Sequence, residues 1–136
     1  MKEQSNQTNL SIILKGEVIH GKGLGRTVGM PTANLLVTEG TLPKAGVYAG
    51  IVHVEGKEYK AVTHIGNRPS VDQEQQITVE SFIMDFQGDL YGKQMELELV
   101  KYLRPVQKFS GLEGVLEQVK KDIVEAKKVL DMRLTS

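Results

Sequence analysis

Side chains in this chain alternate with a period of two along most of its length and switch to a helical period only near the C-terminus. In residues 77–86, Ile77, Val79, Ser81 and Ile83 fall on one face, and Thr78, Glu80, Phe82 and Met84 on the other. In residues 95–103, Met95, Leu97 and Leu99 oppose Glu96 and Glu98, the pattern of a strand with one buried and one wet face. Residues 11–19, 47–54 and 58–66 read as further strands, the last two joined by Glu55-Gly56-Lys57 as a hairpin turn. Residues 41–46 form another turn, and residues 67–76 a polar loop carrying Arg68-Pro69-Ser70. No helical segment interrupts this series. Short strands with hairpin turns and no interleaved helices indicate a mainly β protein, an antiparallel sheet of five or six strands closing into a small barrel.

The period changes after Ser110. Ser110-Gly111-Leu112-Glu113 is a capping box, in which the Ser and Glu side chains each satisfy an orphan backbone N–H. Leu112, Leu116, Val119, Ile123, Ala126 and Leu130 follow at three- and four-residue steps, which predicts an amphipathic helix. Its apolar face is expected to cover the open side of the barrel. Residues 1–9 are polar and read as a disordered lead-in, leaving one domain over residues 10–136.

Composition narrows the functional classes. An apolar fraction of 40% suffices for a core without staples. There is no cysteine, which excludes disulfides, thiolate zinc sites and cysteine nucleophiles. Lys plus Arg and Asp plus Glu number 17 each, so the net positive field of a non-specific nucleic-acid binder is absent and no nucleic-acid partner is expected. No apolar run resembles a signal peptide or approaches the ~20 residues of a membrane span. A cytoplasmic monomer without membrane association is the expectation.

Several segments could carry chemistry. Gly21-Lys22-Gly23-Leu24-Gly25-Arg26, followed by Gly29, is too glycine-rich for a regular element. It is not a Walker loop, because Gly23 stands where the magnesium-binding Ser or Thr should be and no helix follows. It is not a dinucleotide fingerprint either, lacking the third glycine and the βαβ setting. Taken alone it is either a flexible connection or a backbone cradle for phosphate oxygens. In Pro31-Thr32-Ala33-Asn34, an extended backbone would point Thr32 and Asn34 the same way, as hard oxygen donors suited to magnesium. In a turn the same side chains would bond their own backbone, and the local pattern favours the turn. Glu80, mid-strand between Val79 and Phe82, either faces solvent or lines a barrel mouth as a proton acceptor. Asp89-Leu90-Tyr91-Gly92, and the segment from Leu103-Arg104-Pro105 to Phe109, could each hold a flat ligand or plug the barrel. His20, His53 and His64 lack metal-ligand spacing and read as surface or internally satisfied histidines.

Together these segments resemble the riboflavin kinase family. The resemblance runs in order through Gly16-Glu17-Val18, Gly21 to Arg26, Gly29, Pro31-Thr32-Ala33-Asn34, Gly46-Val47-Tyr48, Ile65-Gly66, Arg68-Pro69 and Val79-Glu80. It continues through Asp85-Phe86, Asp89-Leu90-Tyr91-Gly92, Leu103-Arg104-Pro105, Lys108-Phe109 and Asp122. It implies a six-stranded antiparallel, Greek-key-like barrel with a C-terminal helix, transferring the γ-phosphate of ATP to riboflavin to give FMN and ADP. By position, Gly21, Lys22, Gly23, Gly25, Arg26 and Gly29 would cover ATP, while Thr32 and Asn34 would contact Mg²⁺ and the phosphates. Glu80 would be the general base. Arg104, Val106 and Phe109 would form a second flap at the flavin, with Asp89 and Tyr91 also contacting it. Two departures stand out: Ser70 replaces the family's frequent Thr, and Phe82 replaces the His common two residues after the glutamate. The alternative is a non-catalytic flavin-binding or regulatory module on the same barrel.

Overall fold

A computed structural model describes residues 12–19, 32–69, 75–86, 88–107 and 112–135. It contains strands β1 (Ile12–Ile19), β2 (Thr32–Glu39), β3 (Gly46–Val54), β4 (Lys57–Pro69), β5 (Gln75–Ile83) and β6 (Gln94–Arg104), then helix α1 (Leu112–Thr135). The strands close into a barrel in the order β1-β2-β5-β4-β3-β6, every neighbouring pair antiparallel. β3, β4 and β5 follow one another, and β2 returns beside β5, which is a Greek-key arrangement.

The β3–β4 hairpin forms where the sequence predicts it. Glu55 and Gly56 carry positive φ angles of 54° and 78°, the handedness that matches the twist of the flanking strands. Two expectations fail. The polar segment 67–76 is shorter as a loop than its composition suggests, because β4 runs to Pro69 and β5 begins at Gln75. The segment starting at Thr32 is not a turn but the beginning of β2. Its backbone groups pair with β1 on one side and β5 on the other, partners that outweigh the local turn preference.

The barrel is filled by Leu14, Val18, Leu35, Tyr48, Val52, Ile65, Val79, Ile83, Leu97 and Leu99, among others. Two polar contacts tie this interior together: at its edge Tyr48 donates to the Lys44 carbonyl at 2.7 Å in a part-buried bond, and the buried Thr63 and Ser81 hydroxyls meet at 2.8 Å. A second cluster lies outside the barrel wall, where Val47, Ala49, Ile51, Val62, Phe82, Met84 and Val100 pack with Ala126 and Leu130 of α1. This explains the nearly unbroken apolar run of β3, which is buried on both faces. It also corrects the expected role of the helix. The barrel closes on itself, so α1 covers no open side; it lies against the outer wall of β3, β4 and β6. Val119, Ala126 and Leu130 of the predicted stripe are buried there, joined by a charged residue, Asp122. Lys60 of β4 pairs with Asp131 at the far end of α1. Ser110 of the capping box lies outside the described residues.

Candidate active site

Strand register brings the candidate residues into one row on the outer wall. Asn34 of β2 stands opposite Glu80 of β5, Glu80 opposite His64 of β4, His64 opposite Val47 of β3, and Val47 opposite Arg104 of β6. In the adjacent row Thr32 faces Phe82, and Phe82 faces Val62. Alternate residues of a strand share a face, so Thr32 and Asn34 project on the same side as Glu80 and Phe82. Glu80 therefore stands on the outside of the barrel beneath α1, not at its mouth.

Between this wall and the helix lies a cavity of about 230 Å³. Val47, Val62, His64, Glu80 and Phe82 form its floor; Arg104 and Gln107 come from the end of β6 and the segment after it, and Gln118, Val119 and Asp122 from α1. Apolar walls with a few convergent polar groups are the usual make-up of a ligand site. The volume falls below the about 300–1,000 Å³ of pockets that enclose a whole ligand, which suits one flat portion of a larger molecule.

Glu80 is half-buried, and its Oε2 is shut off from solvent. Phe82 is buried in the outer cluster beneath α1. The face nevertheless carries an imidazole, that of His64, directly across from Glu80. Burial pushes the His64 pKa down, and the Arg104 guanidinium pushes it further; a hydrogen bond with its own backbone and the Asp122 carboxylate oppose this without reversing it. The unfolded chain, with histidine near 6.5, therefore takes up the proton first as pH falls. Stability linked to this group is complete above 6.5 and is lost as pH drops through that value and on through the lower native one. The fall in Tm between about pH 7.5 and about pH 5 should be smaller in His64→Gln than in the parent protein, measured by thermal melts at both pH values.

Arg104 is held by the protein itself. Its Nε and Nη2 donate to the two carboxylate oxygens of Asp122 at 2.9 and 2.8 Å, and its Nη1 donates to the Pro105 carbonyl at 2.9 Å. Gln118 Nε2 adds a 3.0 Å bond to the same carboxylate. The guanidinium thus clamps the end of β6 to α1 while its surface lines the cavity. Val106, in the segment after it, is exposed.

Asp89 and Tyr91 are not brought to this cavity. Asp89 Oδ1 accepts from the Tyr91 backbone N–H at 2.9 Å, and the turn is pinned to the end of β1: Gly92 N–H donates to the Val18 carbonyl at 2.8 Å, and Val18 N–H to the Lys93 carbonyl at 2.9 Å. They stand at the end of the strand from which the glycine segment departs. Gly21, Lys22, Gly23, Gly25, Arg26, Gly29, Ser70 and Phe109 lie outside the described residues. The sequence reading missed His64 and Gln118 as lining residues; Gln107 lies within the segment to Phe109 that it did single out. Asp122 carried a signal, a carboxylate set within the apolar stripe of the helix; His64 carried none without the strand register.

Among the described residues no group of three or more His, Cys, Asp or Glu could hold a metal, and no helix is long and apolar enough to cross a membrane. A hydroxyl and an amide on one face beside a carboxylate nonetheless form a hard oxygen donor set. It suits an ion that arrives already bound to phosphate rather than one held by protein alone.

The profile of the flavokinase family, described as riboflavin kinase, matches residues 8–130. A bifunctional riboflavin kinase/FMN adenylyltransferase from Listeria monocytogenes is 39% identical over 122 residues, covering 88% of this chain and 39% of that protein. The chain thus spans well under half the length of this relative. Among solved structures, a chain described as a macrolide-efflux protein from Streptococcus pneumoniae superposes with a TM-score of 0.78 at 30% identity, over 85% of this chain and 38% of that one. A riboflavin kinase from Trypanosoma brucei shares the fold, with a TM-score of 0.60 at 24% identity over 89% of this chain and 80% of that one.

Proposed function

The chain belongs to the riboflavin kinase family, and on that premise we propose that it transfers the γ-phosphate of ATP to the ribityl 5′-hydroxyl of riboflavin, giving FMN and ADP. The observation that carries this reading is the placement of Glu80. It sits mid-wall, flanked in register by Asn34, with one carboxylate oxygen turned away from solvent and its side chain lining the cavity under α1. A proton acceptor, oxygen donors for a phosphate-bound cation and a flat apolar slot therefore adjoin one another.

In this reading the isoalloxazine ring enters the slot between the barrel wall and α1, against Phe82, Val47 and Val119 and beside the clamped Arg104. The exposed Val106, on the segment after β6, and Phe109 are the residues the family resemblance assigns to the same ring. The ribityl chain runs toward Glu80, which orients the 5′-hydroxyl and takes its proton as the phosphorus–oxygen bond forms. Thr32 and Asn34 are the residues that would hold Mg²⁺ arriving with ATP, and the family resemblance assigns the glycine segment with Lys22 and Arg26 to the nucleotide. Bound Mg²⁺ neutralises phosphate charge, the largest electrostatic demand of phosphoryl transfer. The protein's remaining work is positioning and exclusion of water, whose attack would hydrolyse ATP unproductively. Asp89 and Tyr91, beside the end of β1, belong with the nucleotide-side segment rather than with the ring.

The test is direct. Pure protein incubated with riboflavin and Mg-ATP should form FMN, resolved from riboflavin by chromatography, with one ADP per FMN. Chelating the divalent ion should stop turnover while riboflavin fluorescence quenching by the protein persists. Quenching without FMN under any divalent ion would refute the kinase reading and leave a flavin-binding module.

A further inference from the structure

We propose that Gln118 and Gln107 read the polar edge of the flavin ring: Gln118 accepts a hydrogen bond from the ring imide N–H, and Gln107 donates one to an adjoining ring carbonyl. This rests on the reading above that a flavin occupies the slot. Both side chains line the cavity, Gln118 from α1 and Gln107 from the segment after β6. Each touches one half of the Arg104–Asp122 clamp. Gln118 Nε2 lies 3.0 Å from Asp122 Oδ1, one helical turn away, and Gln107 Oε1 lies 3.5 Å from Arg104 Nη1.

The clamp fixes which way each amide faces. A carboxylate in an ion pair only accepts hydrogen bonds, and a guanidinium only donates them. Gln118 therefore turns its NH₂ to Asp122 and keeps its carbonyl oxygen for another partner. Gln107 turns its oxygen to Arg104 and keeps its NH₂. Charge decides even this longer contact, because the reversed amide would set an NH₂ against a cation. Among the described residues neither spare group has a hydrogen-bond partner. The slot thus offers one acceptor and one donor beside an apolar floor of Val47, Val62 and Phe82. Register sets Arg104 three strands from Glu80, through His64 and Val47, at about 4.8 Å per strand. That spacing leaves room for a ring whose side chain must reach Glu80. A flavin ring has the matching asymmetry. Its dimethylbenzene end is apolar, and at its other end an N–H stands between two carbonyls. A site built to bond a substrate N–H rejects the analogue that lacks it, because the site's own polar group is left unpaired.

Fluorescence titrations with riboflavin and with 3-methylriboflavin, which carries a methyl group in place of the imide hydrogen, test this in the parent protein, Gln118→Leu and Gln107→Leu. The parent should bind riboflavin at least about tenfold more tightly than the methyl analogue. Gln118→Leu keeps the side-chain bulk and loses the acceptor, so it should weaken riboflavin binding and shrink that preference at least about fivefold. Any loosening of the clamp falls on both ligands alike and cancels in the ratio. Gln107→Leu should weaken both ligands equally, by about threefold or more, because each keeps its carbonyls. A parent that binds the two ligands equally, or a preference unchanged in Gln118→Leu, would overturn the assignment. So would a Gln107→Leu protein that binds riboflavin as the parent does. The titration needs no turnover. A parent that forms no FMN yet shows these ratios loses the kinase reading and keeps this one; an active parent without the preference loses only this one.

Discussion

Replacing Glu80 with Gln should lower kcat for FMN formation by about 10²-fold or more while leaving riboflavin binding within a few-fold of the parent. Gln keeps the length, planarity and volume of the side chain, so the cavity floor and the pairing of β5 with β2 and β4 should persist. What it loses is the ability to accept the hydroxyl proton. Loss of a general base is worth about 10²–10⁴-fold, and the lower end applies here, because the phosphoryl-transfer transition state is loose and the hydroxyl loses its proton late. The kinetic signature is specific. kcat and kcat/KM should fall together with KM unchanged, as for an interaction made in the transition state. Steady-state rates measure this, and fluorescence titration with riboflavin checks that binding survives. If the Gln variant keeps kcat within about fivefold, Glu80 is a structural carboxylate and the proton leaves by another route.

The second large effect is on stability. Asp122→Ala should destabilise the fold by about 3 kcal/mol, the lower end of the about 3–5 kcal/mol lost when one partner of a buried ion pair is removed. Asp122 is only 6% exposed at its side chain, and Arg104 is 19% exposed. The substitution removes both bonds from Nε and Nη2 and strands a guanidinium in the seam between barrel and helix. Arg104 keeps some access to water, which is why the lower figure applies. The loss is a large fraction of the about 5–15 kcal/mol that holds a domain of this size together. The helix packs on one wall only, and Arg104 also holds the Pro105 carbonyl, so the damage should reach the site. The riboflavin KM should rise more than kcat falls. Urea unfolding of the parent and Asp122→Ala measures the first effect and initial rates the second. Lys128→Ala provides the control: its pairing with Glu125 is largely exposed, and its loss should cost less than about 0.5 kcal/mol. An Asp122→Ala curve that overlays the control would show that apolar packing alone docks the helix.

The elements themselves were largely legible. The hairpin at Glu55-Gly56, the alternation in β5 and β6 and the three- and four-residue steps of α1 are local patterns, and local patterns survive in the fold because the barrel interior and the helix seam bury the faces they predict. β2 was not legible. Its first residues read as a turn, because strand pairing with β1 and β5 is a long-range effect that a segment cannot announce. The same limit misplaced the helix. An apolar stripe demands a partner surface without naming it, and whether that surface is the barrel's open side or its outer wall depends on ring closure.

The sequence by itself determined the class of the protein and the period of every element but β2, and it singled out Thr32, Asn34, Glu80 and Arg104 as candidates for the site. It also carried the family resemblance, since motifs keep their order along the chain. Only the tertiary structure decided which of these residues meet. Register places Asn34, Glu80 and His64 side by side although they are distant in the chain, turns Glu80 toward α1 and commits Arg104 to Asp122. It also separates Asp89 and Tyr91 from the cavity by pinning their turn to Val18. The reason is physical. Periodicity fixes which way a side chain points from its own strand, but its neighbours are set by pairing between strands. That pairing depends on the closure of all six into one barrel.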